Sequence, residues 1–323
     1  MSDTARMLDE TAARLLERHA GDDAALMREA VEAGLFLVLV GEDDGGFGGG
    51  FAEAAAIARQ WGRHAAPLPV VELMIGARLA ALAEKTDLAG RTTAALAIGD
   101  AAVAAPLFPG AEAAFVLRAA GMLSLGEAGI GAAAPASLAH EPFAALAGER
   151  RLDGIDADAL AQVRAGAALL QAAAMTGAMA RVLEIATDYA NTRNQFGRPL
   201  GKFQAIQNLI ADAASELLIA EAVAGAGLAA LDRGDATPLD WLAAKAQAGR
   251  AATVVAANIH QVMGAIGFTD EHELHRYTKR LWTWRDRWGR QSWCEAEIGR
   301  MACAAGGAGL WPLIADRGAQ DAA

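Results

Sequence analysis

From about residue 157 to 305 the chain reads as nearly continuous helix, and this stretch limits the fold more than any other. Only three short joints interrupt it: Phe196-Gly197-Arg198-Pro199, Arg233-Gly234-Asp235 and Gly264-Ala265-Ile266-Gly267. They predict helices over about 157–192, 202–233, 237–265 and 270–303. Asp235-Ala236-Thr237-Pro238 marks one start, with Thr237 as N-cap and Pro238 at the first helical position, where a missing N–H costs nothing. Long helices with joints this short run antiparallel to their neighbours, so the stretch predicts a four-helix bundle. Composition agrees: 54% of residues are hydrophobic, many of them alanine, the best helix former, and only 6% are aromatic.

The first third reads as further helices. Leu26, Ala30, Val31 and Leu35 recur at helical spacing, and the run Phe36-Leu37-Val38-Leu39-Val40 is a buried connector, too short to span a membrane. Glycine turns follow (Gly41 to Gly50), then a helix over about 51–63 that Ala66-Pro67-Leu68-Pro69 breaks. The Gly41–Gly50 stretch is a weak phosphate cradle, because no lysine follows and Glu42, Asp43 and Asp44 repel phosphate. Between 92 and 155, short apolar runs (94–98, 113–117, 122–125) alternate with Gly and Pro and predict strands of a small sheet. The expected organisation is an N-terminal helical domain over 1–90, a reduced β domain over 91–155 and the bundle over 156–323.

Several functions are excluded at this level. A net charge of −11 argues against a general nucleic-acid binder. The Arg- and Trp-rich run 276–290 is then expected to be an interface helix, since both residue types are enriched at buried contacts. Two cysteines, Cys294 and Cys303, make neither a disulfide framework nor a zinc site, and His260 has no second histidine at metal-ligand spacing, so no metal is expected. The start, MSDTARMLDE, lacks the apolar core of a signal peptide. Charges and glycines break the alanine-rich runs, so no membrane span and a cytoplasmic location are expected.

Two strings carry chemistry. In Tyr189-Ala190-Asn191-Thr192-Arg193-Asn194-Gln195-Phe196-Gly197-Arg198-Pro199 a helix ends in an arginine and a glycine turn. The planar guanidinium suits phosphate oxygens, and it also suits a plain helix C-terminus. In Ile259-His260-Gln261-Val262-Met263-Gly264-Ala265-Ile266-Gly267-Phe268, glycines at a helix end let a ligand approach the backbone. His260 reads as a structural histidine.

Together these strings resemble the two signatures of the acyl-CoA dehydrogenase family: Arg193-x-Gln195-Phe196-Gly197 with Gln204 beyond it, and Gln261-x-x-Gly264-Ala265-x-Gly267-Phe268. Glu32 to Gly48 and Trp61 to Pro69 are similar to the family's N-terminal helical domain. The resemblance covers about 25–80 and 157–303. It implies a mainly α fold of helical N-terminal domain, middle β domain and C-terminal four-helix bundle. The implied activity is α,β-dehydrogenation of an acyl-CoA thioester, in which a carboxylate removes the α-proton and FAD accepts the β-hydride. Cofactor contacts would come from Arg193, Gln195, Phe196, Gln204, Gln261, Gly264 and Ala265, reaching across a subunit boundary to FAD held by the neighbour.

Three departures shape the expected role. The family's Thr-Glu-Pro and Gly-Ser motifs have no counterpart in 92–155, where Ala105-Pro106-Leu107-Phe108-Pro109-Gly110 is only an echo. The Glu-Gly-Thr turn that carries the usual base aligns with Trp288-Gly289-Arg290, and an indole is a donor only. The alternative base position on the preceding helix is Ala167. No catalytic residue is therefore assigned. Contacts that reach into a partner's site are kept while those for the chain's own flavin and base are missing, as expected of one subunit of a heteromeric enzyme that pairs with a second acyl-CoA dehydrogenase-like chain. Two other readings stand beside this one: a complete homomeric dehydrogenase with a displaced base, Asp286 or Glu295, and a non-catalytic helical binding or scaffold protein.

Overall fold

The computed structural model describes residues 2–98, 103–108, 110–118, 121–127, 133–134 and 137–315. Part of the Ala105–Gly110 echo, Pro109, and the last eight residues of the expected bundle domain lie outside them.

The chain begins with four helices, α1 (Asp3–Arg18), α2 (Asp23–Glu32), α3 (Phe51–Arg63) and α4 (Val70–Leu82). Side-chain caps start the first two: the Ser2 hydroxyl accepts from the Ala5 N–H, and the Asp22 carboxylate from the Ala25 N–H. The expected connector is buried, with Phe36, Val38, Leu39 and Val40 all at 5% exposure or less. The following turns are tight rather than ligand-facing. A side chain at Gly46 would strike the Val40 carbonyl.

Two small sheets follow. β1 (Thr92–Ala97), β3 (Ala113–Arg118), β4 (Leu123–Glu127) and β7 (Ala147–Leu152) lie in the order β1-β3-β4-β7, with β1 and β3 parallel and the other pairs antiparallel. The second sheet is β2 (Ala104–Pro106), β6 (Phe143–Ala145) and β5 (Ala133–Ala134), in that order. Three strands were expected; four more are present. β7 carries the polar sequence Ala-Gly-Glu-Arg-Arg-Leu and is mostly exposed, so it has no apolar alternation to read.

The bundle begins with α5 (Ala157–Thr192), capped by Asp156, whose carboxylate accepts from the Ala159 N–H. A two-residue turn joins β8 (Asn194–Gln195) to β9 (Arg198–Pro199), and α6 (Gln204–Arg233) and α7 (Pro238–Met263) follow. Pro238 does open α7, and the Thr237 N–H and hydroxyl both donate to Asp240. The expected fourth helix is two: α8 (Leu274–Trp284) and α9 (Gln291–Ala315), the latter itself kinked at Gly306 (φ 66°). The break comes at Trp288 (φ 53°) and Gly289 (φ 105°), left-handed conformations that no helix continues through. By length and composition alone, three helices are long and apolar enough to cross a membrane, contrary to the expectation from charge and glycine placement. The apolar window of α5 is 83% buried in the protein itself, so its hydropathy belongs to a core.

One large apolar cluster runs through the N-terminal helices, the first sheet and the bundle. At its centre α3 and α5 touch backbone to backbone. A Cβ at Gly62 would lie 1.8 Å from the Ala174 carbonyl oxygen, and one at Gly177 would lie 2.0 Å from the Arg59 carbonyl oxygen. Only glycine permits that approach. The architecture is the expected one: mainly helical, with a small β region between an N-terminal helical layer and a C-terminal bundle.

Candidate functional site

The connectivity of the bundle gathers both signatures. α5 ends at Thr192 and α6 starts at Gln204, so Arg193 to Gln204 occupy one end. α6 leads away and α7 returns, which brings Gln261 and Gly264 back to that end. The Asn258 amide, near the end of α7, donates to the Leu209 carbonyl, near the start of α6, at 3.2 Å.

Local chemistry at this end points outward. The Arg193 backbone N–H donates to the Tyr189 carbonyl and closes α5, while its side chain is exposed. Phe196 (φ 52°) and Gly197 (φ 81°) form the two central positions of the turn between β8 and β9, a geometry with positive φ at both that suits the twist of a hairpin. Phe196 is 90% exposed. Its ring lies edge-on to Phe203, and the Arg198 guanidinium sits 4.1 Å over that Phe203 ring. Gln195, Gln204, Gln261, Gly264 and Ala265 are exposed as well. None of the seven expected cofactor contacts lines any of five cavities found among the described residues. They form a surface.

His260 anchors that surface from below. It is buried, its Nε2 is 3.0 Å from the Thr278 hydroxyl on α8, and its ring stacks on Phe268 at 4.1 Å and on Trp282 at 5.9 Å. Burial pushes its pKa below the ordinary value.

The turn between α8 and α9 has the opposite character. Trp288, at the position aligned with the usual base, is 3% exposed. Together with Gly289 it lines a cavity of about 180 Å³ walled by Ala94, Ala95 and Leu96 of β1, Pro106 of β2, Phe143 of β6, Glu72 of α4, and Arg287. Ligand pockets generally span about 300–1,000 Å³, so this space is too small for a flavin ring together with a thioester. Ala167 is fully buried in α5.

The two displaced-base candidates lie at the surface. Asp286 borders the cavity but is exposed and 3.7 Å from Arg285. Glu295 is on the surface, bonded to Gln291 at 2.8 Å. Two buried carboxylates near this turn, Glu72 and Glu141, were missed by sequence reasoning. Arg287 pairs with both, at 3.4 Å from Glu72 and in a shorter contact with Glu141. Trp284 Nε1 donates to Glu141 at 3.1 Å, and Arg280 stands 3.9 Å from it. Burial raises the Glu72 pKa, and the Arg287 charge opposes the rise. Arg280, Trp284 and Arg287 of the Arg- and Trp-rich run therefore make buried contacts within the chain, while Arg276, Asp286 and Arg290 stay exposed.

The turn is also clamped from α7. Lys245, fully buried, donates to the Arg285 carbonyl at 2.7 Å, and burial lowers its pKa to about 8. Beside it Cys294 is buried and its thiol is pushed up to about 11.

Comparison with known proteins gives a consistent result. Residues 159–284 match the family profile "Acyl-CoA dehydrogenase, C-terminal domain". The chain is 31% identical over 301 residues to acyl-CoA dehydrogenase IpdE2 of Mycobacterium tuberculosis, covering 85% of this chain and 90% of that one, and 29% identical over 305 residues to IpdE2 of Mycolicibacterium smegmatis (87% and 93%). In fold it is similar to the structure titled Tcur3481-Tcur3483 steroid ACAD G363A variant, with a TM-score of 0.79 at 24% identity over 93% of this chain and 98% of that one. It is also similar to the ChsE4-ChsE5 complex of Mycobacterium tuberculosis, with a TM-score of 0.77 at 22% identity over 94% and 98%. With a relative this similar along nearly its whole length, the chain belongs to the acyl-CoA dehydrogenase family.

Proposed function

We propose that this chain is one subunit of a heteromeric, FAD-dependent acyl-CoA dehydrogenase, and that it lends cofactor contacts to a partner's site without supplying the base. The observation that carries the reading is the placement of its functional residues. The seven cofactor-signature residues stand exposed at one end of the bundle, while the turn that should hold a carboxylate holds a buried indole.

The donor set at the exposed end fits a dinucleotide. Arg193 offers a planar fork for pyrophosphate oxygens. Gln195, Gln204 and Gln261 offer amides for polar edges, Phe196 an apolar face, and Gly264 with Ala265 a backbone open to close approach. Flavin accepts the hydride when bound. This chain's own part is to hold and orient the cofactor's far end and to keep water from it, and the partner removes the α-proton. Two similar folds bear the names of paired chains, and one of them is called a steroid ACAD. Those names favour a second, dissimilar subunit and a bulky, steroid-derived acyl-CoA thioester.

The test is to produce the chain alone and together with a complete acyl-CoA dehydrogenase chain that co-purifies with the native protein. Flavin content would be measured by absorbance and acyl-CoA oxidation with an artificial electron acceptor. The expected result is a colourless, inactive single chain and a yellow, active pair. A single chain that turns over acyl-CoA at the rate of the pair overturns the proposal.

A further inference from the structure

Three buried polar atoms that lack partners belong to residues that line one small space. Trp61 Nε1 on α3, Gln171 Oε1 on α5 and Arg287 Nε in the α8–α9 turn each make no hydrogen bond within the protein. Trp61 is 0% exposed, Gln171 2%, and the Arg287 side chain 10%. All three residues line a single cavity of about 10 Å³, together with Glu72, Trp284, Ala174 and residues 68–71. Orphaned buried donors and acceptors are rare in folded proteins, and each costs roughly 1–3 kcal/mol. Three around one cavity call for a common partner.

We propose that this cavity binds one water molecule that joins the N-terminal helices to the bundle and to the α8–α9 turn. The chemistry of the lining selects it. Two of the orphans are N–H donors, and water accepts two hydrogen bonds. The third is an amide oxygen, an acceptor for one water hydrogen. The second hydrogen goes to the Glu72 carboxylate, which lines this cavity and also the larger one on its other side. That gives four partners, the upper end of what buried waters make, and a space of about one probe sphere admits nothing larger. Gln171 also lies one helical turn beyond Ala167, on the same face of α5. The region where relatives place an alternative base is thereby built as a hydrated structural joint. This inference rests on hydrogen-bond satisfaction and is independent of the heteromer reading.

A high-resolution crystal structure of the protein, in whatever assembly it forms, tests the site directly. The expected result is one water peak within hydrogen-bond distance of Trp61 Nε1, Gln171 Oε1 and Arg287 Nε. A cavity without density, or direct pairing of Gln171 with Trp61 or Arg287, overturns it. Thermal unfolding of variants gives a second reading. Gln171→Leu removes an acceptor and Trp61→Phe removes a donor, so each should lower the melting temperature. The double variant should lose less than the sum of the two, because they share the water. Strict additivity counts against the site.

Discussion

The open end of the bundle and the α8–α9 turn belong to the same helices but treat polar groups in opposite ways. At the open end, Arg193, Gln195, Gln204 and Gln261 face outward with room for a ligand. At the turn, Arg287, Glu72, Glu141 and Arg280 are buried among one another. The contrast shows that the same helices can offer polar groups to solvent at one end and pair them inside the protein at the other. The buried cluster is costly to break though not necessarily stabilising compared with an apolar core.

Four predictions test that contrast. The largest effect is expected for Arg287→Met, which strands two buried carboxylates. It should destabilise the fold by about 3–5 kcal/mol in urea unfolding, as removal of one partner of a buried pair does. A loss under about 1 kcal/mol, the level of exposed pairs, would show that solvent reaches the cluster.

Lys245→Met comes next, through its pH dependence. A lysine near pKa 8 when folded and about 10.4 when unfolded leaves the unfolded chain holding more protons between those values. The wild type should therefore gain stability as pH rises from about 8 to 10, by up to about 3 kcal/mol, relative to a variant that cannot titrate there. Parallel pH–stability curves for the two would show that Lys245 is not held as the structure places it.

At the open end, Arg193→Ala should weaken flavin retention in the assembled enzyme by roughly 10–100-fold, the worth of one charge-assisted contact. It should leave the melting temperature of the isolated chain unchanged. Unaltered flavin affinity in the complex would break the proposed division of roles.

Phe196→Ala should have the smallest effect on stability, within about 0.5 kcal/mol, because the ring is almost wholly in solvent. Any measurable effect should fall on flavin retention or on assembly. A stability loss above about 1 kcal/mol would mean that its edge contact with Phe203 carries structure.

How much of this was legible follows from what each segment shows to a linear reading. α5 reads directly, because Asp156 caps it and Arg193 with the glycine turn ends it. The α8–α9 break does not, because Trp288 takes a left-handed conformation that its identity gives no reason to expect. Glu72 was invisible for another reason. In Val-Val-Glu-Leu-Met-Ile-Gly-Ala a lone carboxylate looks like the solvent side of a helix, yet α4 is buried on nearly every side. Its partner, Arg287, is more than two hundred residues away, and pairings that distant leave no local pattern. The open-end residues were recognisable because their motifs lie in short stretches of chain. Their common location had to come from the alternation of helices.

The glycines that bring α3 and α5 into main-chain contact also bear on motion. Two helices meshed at carbonyl distance have no side-chain cushion in which to slide, so they move as a rigid body. A hinge along that seam is unavailable to this chain, and any closing motion has to come from elements other than α3 and α5.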